Sequence, residues 1–63
     1  METLEQVVHR QLDTAVQENG YDELKQYTAR QLMEDLYDNC AEIEDYPHPE
    51  EITSLCQTWL DKQ

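Results

Sequence analysis

Thr28-Ala29-Arg30-Gln31-Leu32-Met33-Glu34-Asp35-Leu36-Tyr37-Asp38-Asn39-Cys40-Ala41-Glu42-Ile43-Glu44 is the stretch on which the fold turns. Advancing about 100° per residue, Leu32, Met33, Leu36, Tyr37, Cys40 and Ile43 fall within one broad apolar sector. Glu34, Asp38, Glu42 and Asp45 fall together in a narrow stripe on the opposite side. Thr28 with Gln31 three residues later has the form of a capping box, in which each side chain satisfies a backbone N–H of the other. Glu44 lands on the apolar side and marks the expected end. The segment therefore predicts a long amphipathic helix over residues 28–44.

On the N-terminal side the same opening recurs at Thr3 and Gln6. Leu4, Val8, Leu12, Ala15 and Val16 then repeat at three- and four-residue spacing, with Val7 widening the stripe. Asn19-Gly20 closes this helix, expected over residues 3–19, because the chain's one glycine takes positive φ at no steric cost. Residues 21–27 are ambiguous. Tyr21, Leu24 and Tyr27 are spaced for one helical turn, whereas Leu24 to Tyr27 also reads as a short strand whose edge could pair with a second subunit. On the C-terminal side, Tyr46-Pro47-His48-Pro49 breaks the chain. Pro49 suits the first position of a helix, and Glu50 and Glu51 suit its positive end. Ile52, Leu55, Cys56, Trp59 and Leu60 give that helix, over residues 49–61, one apolar face.

The expected fold class is mostly α. It comprises three short amphipathic helices in a single domain, with a short strand near residues 24–27 as the alternative for the ambiguous stretch. A chain of 63 residues buries only roughly 60% of its unfolded surface. Oligomerisation is one of the usual remedies. A homodimer is therefore expected, its interface and core drawn from Leu4, Val8, Leu12, Val16, Leu32, Met33, Leu36, Tyr37 and Ile43, with the third helix packed across.

Charge narrows the class of partner. The first thirty residues carry six acids against Arg10, Lys25 and Arg30, a net of −3; the remainder carries nine acids against Lys62 alone, a net of −8. Such a field repels nucleic acid and anionic lipid and attracts basic protein surfaces. Direct contact with DNA is disfavoured, because phosphates are held by Lys and Arg. No apolar run approaches the roughly 20 residues that cross a bilayer. There is no basic segment followed by an apolar core of the kind that directs secretion. Two cysteines are too few for a disulfide framework, so the chain reads as cytoplasmic with reduced thiols.

The candidate partner-binding residues are Glu34, Asp38, Glu42, Asp45 and Trp59. Carboxylates at i, i+4 lie about 6 Å apart along a helix, a spacing comparable with phosphates on a DNA strand. Such a row could mimic DNA and block a nucleic-acid-binding protein. The plainer reading is a solvated face, against which stands the absence of interspersed Lys or Arg. Trp59 is either core or an interface anchor, since Trp buries a large area with a polar tip. A cleft between dimer helices lined by Met33, Tyr37 and Trp59 could accept a partner's amphipathic helix. His9, His48, Cys40 and Cys56 lack the paired spacing of zinc sites, and no Gly-containing calcium loop is present. Nothing in the pattern encloses a carboxylate or a thiol for catalysis. No cofactor, metal, small-molecule substrate, membrane or direct nucleic-acid contact is expected, and no enzymatic activity.

The run Leu12-Asp13-x-Ala15 to Asn19-Gly20-Tyr21-Asp22-x-Leu24, followed by Tyr27-Thr28 and Asp35-Leu36, resembles the small acidic early proteins of lambdoid bacteriophages encoded between the exonuclease and excisionase genes. The resemblance covers roughly residues 1–45. It implies a non-enzymatic accessory protein that acts early in infection, in the host bacterial cytoplasm, and favours lytic over lysogenic development. It also implies a helical, dimeric fold with room for one short strand. One or more host proteins, met through a basic surface or an amphipathic helix, are the expected partners.

Overall fold

The computed structural model describes residues 2–62 as four helices: α1 (Leu4–Asn19), α2 (Tyr21–Leu24), α3 (Ala29–Asn39) and α4 (Pro49–Lys62). Both capping boxes form. The Gln6 N–H donates to Thr3 Oγ1 at 3.2 Å and the Thr3 N–H to Gln6 Oε1 at 2.9 Å; at α3 the Gln31 N–H donates to Thr28 Oγ1 at 3.1 Å and the Thr28 N–H to Gln31 Oε1 at 2.8 Å. Each box satisfies two donors that a helix start otherwise leaves open.

Gly20 ends α1 with φ +88° while its N–H bonds to Val16 O at 2.7 Å. A Cβ there would meet nothing within 4 Å, so the glycine serves the backbone conformation and not a tight contact. The reversal feeds directly into the single turn of α2. The Lys25 N–H then bonds to Tyr21 O and the Tyr27 N–H to Leu24 O. These local bonds satisfy the backbone that a strand would have left open, and no strand occurs among the described residues. The stretch 21–27 is thus a helical turn followed by a tight turn, making four helices where three were expected.

The expected helix over 28–44 is shorter than its periodicity suggested. At Cys40 the backbone turns extended (φ −117°, ψ 109°). Turns follow through Asp45, held by Ile43 N–H and Glu44 N–H bonds to Cys40 O and by a Tyr46 N–H bond to Ile43 O. Cys40 and Ile43 are nevertheless buried. The turn therefore delivers the same apolar residues to the core as a continuing helix would have done.

The core comprises Val8 and Leu12 of α1, Leu24 of α2, Ala29, Leu32 and Leu36 of α3, Cys40 and Ile43 of the following turn, and Ile52, Cys56 and Trp59 of α4. α4 packs against both α3 and α1, and α1 packs against α2, whereas α1 and α3 scarcely touch. Of the residues assigned to a dimer interface or core, Val8, Leu12, Leu32, Leu36 and Ile43 are buried within one chain. Leu4, Val16, Met33 and Tyr37 are only partly covered.

Candidate partner-binding surface

α1 and α3 both pack chiefly on α4, and a groove of about 450 Å³ lies between them. The buried side chains of Leu12, Leu24, Leu32, Leu36 and Cys40 form its floor, the partly exposed Ala15 and Tyr27 add apolar surface, and Gln11, Thr14, Asn19 and Asn39 add neutral polar surface. Glu18, Glu23 and Asp35 supply its charged rim, and no Lys or Arg lines it. The rim acids take part in none of the ion pairs among the described residues. Glu23 accepts a hydrogen bond from the Tyr27 hydroxyl at 3.3 Å. The charge of Glu23, this hydrogen bond, partial desolvation and the charge of Asp35 hold the phenol protonated above its usual range.

The fold divides the acidic row read from the sequence. Glu34 and Asp38 remain on α3, whereas Glu42 and Asp45 lie in the turns beyond it. Glu34 pairs with Arg30 one turn back at 3.4 Å. Glu42 receives Arg10 at 2.9 Å, and Arg10 also grips Glu2 at 2.9 Å. Arg10 thereby ties the start of α1 to the turn after α3, and both partners raise its already high pKa further. Two of the four carboxylates are thus engaged by cations. Asp38 and Asp45 have no cation partner among the described residues.

Trp59 is core. It is 2% exposed, its ring meets Tyr21 edge-on with centroids 6.1 Å apart, and its indole N–H donates to Asp13 Oδ1 at 3.0 Å. It offers no face to a partner, which corrects its assignment as a partner-binding residue: the polar tip that suits Trp to interfaces is satisfied within the chain. Met33 and Tyr37 remain partly exposed. The Tyr37 hydroxyl donates to Tyr46 O at 2.7 Å, and the Tyr46 hydroxyl donates to Glu51. The proline-containing connection is thereby fastened to the first turn of α4.

Cys40 and Cys56 are both free and buried, and burial pushes the Cys56 thiol up to about 11, leaving little reactive thiolate near neutral pH. Among the described residues no group of three or more His, Cys, Asp or Glu side chains is placed to hold a metal ion. His9 is half-buried on α1, with Nε2 closed off from solvent and without a hydrogen-bond partner. Among the described residues no helix is long and apolar enough to cross a membrane.

The groove is what sequence reasoning missed. Glu18, Glu23 and Asp35 lie on three different helices and share no periodicity, so only the packing brings them together. The one available signal was that all three belong to the unbalanced acidic excess. Comparison with known proteins finds no family model, no curated protein and no solved structure that matches this chain.

Proposed function

We propose that this protein is a non-enzymatic accessory factor that binds other proteins through an anionic surface. On this reading it acts as a homodimer in the host bacterial cytoplasm early in phage infection and favours lytic development. The observation that carries it is an open groove whose charged rim is wholly acidic, on a chain of net charge −11. Rim carboxylates without cation partners are available to a basic surface, and burying them against one removes their mutual repulsion. The phage setting rests on the resemblance of residues 1–45 to the lambdoid early proteins. The homodimer rests on the short chain and on the partly covered Leu4, Val16, Met33 and Tyr37.

Affinity capture from a bacterial lysate at low and high salt tests the reading. A discrete set of host proteins retained at low salt and released at high salt supports it; an empty eluate under both conditions refutes it. The DNA-mimic alternative relied on a continuous row at Glu34, Asp38, Glu42 and Asp45. That row is now split between a helix and a turn, with Glu34 and Glu42 paired to cations. No specific observation favours it over the groove.

A further inference from the structure

We infer that the groove between α1 and α3 receives a basic amphipathic helix of another protein, which seats apolar side chains against Ala15, Tyr27 and Leu36 and sets Lys or Arg against Glu18, Glu23 and Asp35. The inference rests on the protein-binding reading above and supplies the chemistry of the partner.

Geometry selects a helix. Two helices that share a common support but stand apart leave a trough, and the ridge of a third helix fills such a trough by ordinary ridge-into-groove packing. Strand addition would need a sheet edge, and the described residues contain no strand. The volume of about 450 Å³ suits a few large side chains and lies within the range of ligand clefts.

Charge selects the sign. Three carboxylates on three different elements line one opening, and no Lys or Arg among the described residues lines it with them. Complementary charge steers encounter and fixes register. A second copy of this chain is a poor occupant. With four Lys and Arg against fifteen acids, it would set carboxylate against carboxylate.

The test uses the full chain and a fluorescein-labelled Leu/Lys peptide of about 14 residues, four helical turns, with leucines at i, i+3, i+4 and i+7. A Leu/Glu peptide of the same leucine spacing serves as the opposite. Two triple variants carry the same change in net charge: Glu18→Lys/Glu23→Lys/Asp35→Lys at the rim and Glu5→Lys/Glu44→Lys/Asp61→Lys away from it. Circular dichroism checks that both fold. By anisotropy at low salt, the rim variant is expected to lose about 30-fold or more in affinity for Leu/Lys, because each reversal exchanges an attraction for a repulsion. The remote variant should change by less than about threefold, because distant charges are screened. Amide shift changes should centre on Ala15, Tyr27 and Leu36. Equal losses in both variants, shift changes centred on α4, absence of saturable Leu/Lys binding, or equal affinity for Leu/Glu would each overturn the inference. Lysate capture separates the two levels of the proposal. Host proteins held equally by wild type and rim variant overturn the groove while leaving the binding reading in place. Capture by neither removes both.

Discussion

The indole N–H of Trp59 donates to the Asp13 carboxylate at 3.0 Å across 46 residues of sequence, joining α4 to α1 at the rim of the core. The ring supplies burial and the N–H supplies direction, so two substitutions separate them. Trp59→Phe keeps most of the apolar contact and loses the donor; Asp13 is exposed and regains water, so the cost should be about 1 kcal/mol. Trp59→Ala empties the site and should cost about 3–5 kcal/mol, enough to unfold a chain this small. Urea titration followed by circular dichroism measures both.

Ile43 is wholly buried although it lies outside any helix. Ile43→Ala should therefore cost about 2–5 kcal/mol, as for a core position. Met33→Ala, on α3 but only partly covered, should cost clearly less. The reverse order in denaturant midpoints would mean that the turn after α3 does not seat Ile43 in the core.

Alkaline pH should destabilise the fold. Burial lifts Cys56 from 9.0 to about 11. Tyr46, through its hydrogen bond to Glu51, Tyr37, through burial, and Tyr27, beside Glu23, are lifted as well. Each group holds its proton more tightly when folded, so the unfolded chain binds fewer protons and stability falls as pH rises. The Cys56 contribution is present in full below about 9 and is lost as pH passes about 11. Thermal melts from pH 7 to 11 should show a falling midpoint, and Cys56→Ala should flatten part of that fall.

Sedimentation at micromolar concentration addresses the proposed homodimer. A dimer gives about twice the 7.5 kDa of one chain, and Met33→Glu, which places a charge on a partly covered apolar position, should shift it towards monomer. A folded wild-type species of single-chain mass would remove the dimer from the proposal. The groove and its acidic rim would be unaffected, since one chain builds them.

The helix starts were legible because their chemistry is local. Thr3 with Gln6, Thr28 with Gln31, and Pro49 each act within one turn, and Gly20 stops α1 where its φ requires. The end of α3 was not legible. Apolar residues at Leu36, Cys40 and Ile43 fit a continuing helix and a core-seeking turn equally well, because periodicity reports which side chains are buried and not which backbone carries them. The short stretch 21–27 was balanced between two conformations until the reversal at Gly20 set its direction. The Trp59–Asp13 bond depends on how α1 and α4 meet and the carboxylate rim on how α1, α2 and α3 are arranged, and no local pattern encodes that.

The arrangement of α4 has a bearing on assembly. Since α1 and α3 lean on it and hardly on each other, residues 2–46 alone would lack the support that orients both, and Ile52, Cys56 and Trp59 would be missing from the centre of the core. Cooperativity is thus concentrated in one segment, and the join at Pro47-His48 is a natural place to divide the molecule. A fragment ending there should stay largely unstructured until a separate peptide spanning Pro49–Lys62 is mixed with it, and the two pieces should then regain helicity together.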